Sequence, residues 1–241
     1  MSTVSVTRPD GPRRPGRSEG GGVMRVILLG PPGSGKGTQA KLVCARLGLQ
    51  HIATGDILRD AVRHGTALGR QAQPYMDRGQ YVPDALVNDI VAERFRREDR
   101  PEHFLMDGYP RTLAQAESFD AVLGEQHTGL DAAILLTVPD EEIVRRVGGR
   151  RVCPQDGSLY HVLHHPPRVP GVCDLCGTEL ELRADDREET IRERLRVFHA
   201  TIPPVLDHYR RQGLLRAVNG EGTIQDIHTA ILRSLGVETG A

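Results

Sequence analysis

The chain has 241 residues, 38% of them hydrophobic and 26% charged, with a formal net charge of -1 and a pI near 6.8. This is enough for one domain of ordinary size, or one with a small insert, and gives no overall attraction to nucleic acid or an anionic membrane. No apolar run is long enough to span a bilayer, and with Trp absent and 4% aromatic residues the core must be mostly aliphatic.

Residues 1–22 are rich in Pro, Gly and Arg with almost nothing apolar to bury, so a tail over residues 1–23 is expected to be disordered. It lacks the apolar stretch of an export signal, and the expected location is cytoplasmic. Val26-Ile-Leu-Leu29 then reads as a buried strand running into Gly30-Pro-Pro-Gly-Ser-Gly-Lys-Gly-Thr38, with a helix from near Lys36 to about Leu47. A short strand enters His51-Ile-Ala-Thr-Gly-Asp56, and residues 56–82 read as short helices broken at Gly65, Gly69 and Gly79. A helix from Asp84 carries Leu86, Val87, Ile90, Val91 and Phe95 as a core stripe. Phe104–Asp107, Ala132–Val138 and Leu214–Val218 read as further strands. Strands alternating with helices predict an α/β fold, a doubly wound parallel sheet covered on both faces. Ligands bind outside the carboxyl ends of such strands, where Lys36 and Asp107 both fall.

Between Val147 and about Asp186 the composition shifts to Pro, Gly, Cys and His with short alternating pieces. This predicts a small inserted β-domain, too thin to hold a core unaided. A helix from about Arg187, carrying Ile191, Leu195 and Phe198, returns the chain to the main sheet. Cys44 stands alone as a small core residue, whereas the other cysteines cluster in the insert. Their spacing is Cys153-x-x-Asp156, sixteen residues, then Cys173-x-x-Cys176. That pattern matches two ligand knuckles of a tetrahedral structural zinc site, with carboxylate oxygen in place of one sulfur. His161, His164 and His165 are alternative ligands, and a metal-free insert held by hydrogen bonds is the other reading.

The glycine-rich segment fits a phosphate-binding loop: a glycine at each end of four residues, then lysine. Glycines permit the tight turn, several N–H groups converge at the positive end of a helix, and anionic oxygens fit there. A bare strand-to-helix turn would not need the lysine. Lysine is otherwise scarce, at positions 36 and 41 only, in a chain whose basic residues are nearly all arginine. Gly37 occupies the place where such loops usually carry the magnesium-binding hydroxyl, which comes one residue later at Thr38. Magnesium is therefore expected to be held through phosphates, water and a carboxylate elsewhere.

The loop resembles the GxPGxGKGT loop of the adenylate kinase family, and two further segments carry the same resemblance. Thr54-Gly55-Asp56-x-x-Arg59 is similar to its TGDxLR motif, although Ala53 precedes it where the family more often has Ser. Asp107-Gly108-Tyr109-Pro110-Arg111 is similar to DG[FY]PR, with Gln115 four residues on. The resemblance covers about residue 24 to the mid 230s. It implies a P-loop core of residues 24–52, 83–148 and 187–237, a flap binding the nucleoside monophosphate over 53–82, and a lid with zinc knuckles over 149–186. It also implies reversible conversion of Mg-ATP and AMP to two ADP by a monomer, with no nucleic-acid or membrane partner. Gly33, Ser34, Gly35, Lys36, Gly37, Thr38, Arg146, Arg150 and Gly222 would bind ATP. Thr54, Arg59, Gly108, Arg111, Gln115, Arg183 and Arg194 would bind AMP, with Gln115 reading the base. Lys36, Asp107, Arg111, Arg146, Arg150, Arg183 and Arg194 would serve the transfer itself, and Cys153, Asp156, Cys173 and Cys176 would hold structural zinc. In the family's aspartate-containing lids that residue usually sits in the second knuckle; here it is in the first. The rival readings are a kinase for another monophosphate or using GTP, and, from another class, a zinc-ribbon nucleic-acid-binding protein.

Overall fold

The structure is a computed structural model that describes residues 23–78, 80, 82–162, 165–182 and 186–238. Residues 1–22 of the expected tail, Gly79, His164 and Arg183 lie outside the described residues. Among the described residues, five strands form one parallel sheet in the order β2–β3–β1–β4–β7. They are β1 (Arg25–Leu29), β2 (Gln50–Ala53), β3 (Phe104–Asp107), β4 (Ala132–Thr137) and β7 (Leu215–Asn219). The two short strands β5 (Arg150–Val152) and β6 (Leu159–His161) pair antiparallel in a separate sheet within the insert. The helices are α1 (Lys36–Leu47), α2 (Thr54–Arg63), α3 (Ala67–Asp77), α4 (Asp84–Arg96), α5 (Leu113–Glu125), α6 (Asp140–Gly148), α7 (Glu188–Arg211) and α8 (Ile224–Ser234).

β1 shows why the sheet must be covered twice. Successive strand side chains point to opposite faces. Val26 and Leu28 join Ala40, Val43, Ile227 and Ile231 under α1 and α8. Ile27 and Leu29 join a second core with α4, α5 and α7. An apolar residue at every position is the signature of a strand buried on both sides. In the second core Phe95, Phe104 and Phe119 meet edge to face, with ring centroids 5.0 Å apart for Phe95 and Phe104 and 5.2 Å for Phe95 and Phe119. Cys44 lies at the edge of the first core, where burial pushes its thiol up to about 11 and keeps it protonated.

Two local expectations are corrected. Thr54-Gly55-Asp56 does not end a strand; it opens α2, with Asp56 in the first turn where a carboxylate suits the positive helix end. Gly65 does break the chain, at φ 59°, but Gly69 lies inside α3. A Cβ at Gly69 would stand 2.0 Å from the Ala61 carbonyl oxygen, so this glycine lets two helices touch backbone to backbone. Within the insert, Cys153, Tyr160, Cys173 and Leu180 are buried together as a small cluster. Beneath it Ile143 and Val147 of α6 pack on Ile191 and Leu195 of α7.

Candidate active site: two clefts that share their arginines

The loop after β1 turns on Gly30, Gly33 and Gly35, all at positive φ. Left-handed backbone is cheap only for glycine. Gly33 is doubly constrained, because a Cβ there would lie 2.3 Å from a Val147 methyl of α6. α1 starts directly on this turn at Lys36, with Gly35 at its cap, which has no side chain to bond the first N–H groups. Lys36 folds back over the loop, its Nζ donating to the carbonyls of Gly30 at 2.7 Å and Pro31 at 2.8 Å. Burial lowers its pKa to about 8; Asp107 opposes that, and Arg111, Arg194 and Arg150 add to it. Ser34 is buried beneath the loop, whereas Gly33, Gly35, Lys36, Gly37 and Thr38 face an open cleft.

Asp107 ends β3, beside β1, and lines the same cleft. A Cβ at Gly37 would lie 3.5 Å from its Oδ2, so the missing side chain keeps the approach to the carboxylate open. His51, in β2, places Nε2 3.6 Å from the same oxygen, and that nitrogen is buried without a hydrogen-bond partner among the described residues. Thr54 is buried, its hydroxyl 3.4 Å from the Asp107 carbonyl it donates to. Gly108 turns the chain at φ 81°, the Tyr109–Pro110 peptide is cis, and Arg111 Nε donates to the Gly108 carbonyl at 2.8 Å.

A second cleft, of about 620 Å³, opens beside the first between α2, α3 and α7. Leu58, Met76, Val82 and Val87 give it an apolar wall, and Gln115 lines its end. Arg59, Arg111 and Arg194 line both clefts. Anything bound in one cleft would therefore share its cations with whatever is bound in the other. Arg59 also pairs with Asp56 one turn earlier.

Arg150 lines the first cleft, but its guanidinium grips Asp186 with both Nε (2.6 Å) and a terminal nitrogen. Arg146 lines neither cleft. Its Nε pairs with Glu142 at 2.6 Å and a terminal nitrogen donates to the Gly220 carbonyl at 2.9 Å, in the turn that carries Gly222 at φ 106°. Arg183 is outside the described residues.

In the insert, one ligand atom from each of Cys153, Asp156, Cys173 and Cys176 lies within 4.8 Å of the others. Cys153 Sγ is 3.3 Å from Cys176 Sγ, and Cys173 Sγ is 3.1 Å from Asp156 Oδ2. Tetrahedral zinc sets such atoms about 3.8 Å apart, so the donor set fits the ion in number, chemistry and spread. Ser158 donates to Asp156 and holds its carboxyl well below the usual range, as an anion. The two described histidines take other work: His161 Nε2 contacts the Arg146 carbonyl at 3.0 Å, and His165 stacks on Tyr160.

The sequence model of the adenylate kinase family matches residues 28–214. The chain belongs to the adenylate kinase family. An adenylate kinase of Caldicellulosiruptor bescii is 48% identical over 215 residues, 89% of this chain and the whole of that protein. Those of Methanothrix thermoacetophila and Archaeoglobus fulgidus are also 48% identical, over 88% and 85% of this chain and 98% and 94% of theirs. Beside the family's motifs, sequence reasoning missed His51 against Asp107 and Arg187 and Thr190 in the second cleft. It also missed Asp186, 2% exposed, as the partner of Arg150, and Asp84 behind Gln115. Each of these depends on a partner distant in sequence. The signal available was weak: a carboxylate near a motif, with nothing to say which way it points.

Proposed function

We propose that the protein catalyses reversible transfer of the terminal phosphoryl group of ATP to AMP, giving two ADP. The observation that carries this is the pair of adjoining clefts with Arg59, Arg111 and Arg194 common to both. ATP phosphates would lie on the loop of residues 30–38 with Lys36, and the AMP phosphate against Arg59 and Arg111, Thr54 and Gly108 beside it. The acceptor is already an anion, so no nucleophile or dedicated base is needed, and catalysis is positioning plus charge stabilisation. Magnesium would neutralise charge on the phosphates, and Asp107 is the carboxylate that would hold it, through water.

In this reading residues 53–82 form a flap over AMP and residues 149–186 a lid over ATP, excluding water so that the phosphoryl group is not lost to hydrolysis. Arg150, Arg183 and Arg194 would reach the phosphates as the lid closes, and Arg146, anchored at Gly220, would flank the base of ATP with Gly222. Zinc held by Cys153, Asp156, Cys173 and Cys176 would cross-link the lid. The protein would act on free nucleotides as a monomer, since the cations that both phosphate chains need come from one chain. A coupled assay over a panel of nucleoside mono- and triphosphates tests the reading. ADP formation strongest with ATP and AMP is expected; preference for another pair overturns it.

A further inference from the structure

We propose that Asp84 determines which purine is accepted, by holding the Gln115 amide in one orientation. The inference rests on the reading above that the second cleft takes the acceptor monophosphate.

Gln115 is 3% exposed and sits in the first turn of α5. Its Oε1 accepts from the Arg111 backbone N–H at 2.8 Å, and its Nε2 donates to Asp84 Oδ1 at 2.7 Å. The other Asp84 oxygen accepts from the Thr112 hydroxyl, and Thr112 Oγ1 accepts in turn from the Gln115 backbone N–H at 3.3 Å. A primary amide has two acceptor and two donor positions. One of each is taken here, leaving one of each for the cleft.

Adenine presents a donor at N6 beside an acceptor at N1; guanine and hypoxanthine present an acceptor at O6 beside a donor at N1. An amide free to turn over would serve either pattern equally well. Turning over here would set Nε2 against the Arg111 N–H and Oε1 against the Asp84 carboxylate, two contacts between like partners. The Arg111 contact is neutral and belongs to the backbone. The Asp84 contact is charge-assisted and so the stronger of the two. Asp84 is itself fixed, at the first residue of α4 and by Thr112. It is a positioning residue that acts through Gln115.

The test is kcat/KM for AMP, GMP and IMP with Mg-ATP, in the wild-type protein and in Asp84→Asn. Asparagine keeps the shape but can turn either a donor or an acceptor toward Gln115. The ratio of AMP to GMP and IMP is expected to fall about tenfold, the scale of one charged hydrogen bond. A merely supporting role would lower all three substrates together. An unchanged ratio overturns the proposal, whatever happens to overall activity or Tm. Failure of the underlying reading looks different, since the wild-type protein would then show no preference for AMP. Should Asp84→Asn not fold, Asp84→Ser, which suits a helix start, is measured on the same ratio with the same two outcomes.

Discussion

At the scale of single residues the site is a matter of where cations are kept before substrate arrives. Lys36 is held on the loop carbonyls with its pKa lowered to about 8, first by burial, with Arg111, Arg194 and Arg150 pushing the same way against Asp107. Phosphates need the protonated form, and bound phosphates stabilise it. The value of kcat/KM for ATP should therefore fall as pH rises through about 8, because free protein loses the charge there. The alkaline fall in kcat should come at higher pH, because the bound triphosphate raises the pKa. Steady-state kinetics from pH 6.5 to 9.5 would show this separation, and Lys36→Met should abolish it. Lys36→Met and Arg111→Ala should each reduce turnover about a hundredfold or more with Tm nearly unchanged, as for a donor lost from a desolvated site. Near-normal turnover in either folded variant would remove that residue from the chemistry. These residues were legible in the sequence because each sits in a contiguous motif whose spacing alone fixes the backbone. Arg150 shows the limit of that legibility, since nothing near it in sequence announces that its guanidinium rests on Asp186.

At the scale of elements, two glycines decide how helices meet. Gly33 brings the phosphate loop onto Ile143 and Val147, so the loop rests on the same helix that leads into the insert. Gly69 does the same between α2 and α3. Alanine favours a helix interior over glycine by about 1 kcal/mol. A Cβ 2.0 Å from backbone that cannot swing aside should cost more than that, in the range of about 1–3 kcal/mol or above. Gly69→Ala is thus expected to lower Tm despite its better propensity. Because α2 and α3 wall the second cleft, it should raise KM for AMP more than KM for ATP. A rise in Tm would show that the two helices separate at little cost. Three strands of the main sheet, β1, β3 and β4, were readable within a residue or so from apolar runs, whereas β2, with Gln50 and His51 in it, was read too far into α2. Gly69 was misread as a break because local sequence shows the missing side chain and not the helix that needs its absence.

At the scale of the molecule, the insert is tied at three levels. Arg150 at its entry clasps Asp186 at its exit, α6 and α7 pack beneath it, and Cys153, Asp156, Cys173 and Cys176 come together within it. Among the described residues its own core is four residues, too few to order the segment without a cross-link. Asp156→Ala should therefore weaken zinc retention and lower Tm, with turnover at low temperature little changed because arginines serve the phosphates. Asp156→Cys should keep the metal, since thiolate also suits zinc. Metal analysis of untagged protein prepared without chelator should find about one zinc per chain. A metal-free preparation that takes up no zinc, and melts no higher with it, would count against the site.

By itself the sequence determined the α/β class, the strand that feeds the phosphate loop, the motifs around Thr54 and Asp107, and the four candidate zinc ligands. All of these are encoded in short windows, where hydrophobic period, glycine placement and ligand spacing act through a few consecutive residues. Only the tertiary structure decided that two clefts adjoin and that Arg59, Arg111 and Arg194 face both of them. It alone showed that Arg146 turns to Gly220, that Arg150 turns to Asp186, and that Asp84 stands behind Gln115. A side chain's partner is set by packing among elements far apart in the chain, and long flexible arginines can satisfy their charge in several directions. Spacing along the sequence constrains where such a residue begins; the folded sheet and its helices decide where its charge ends.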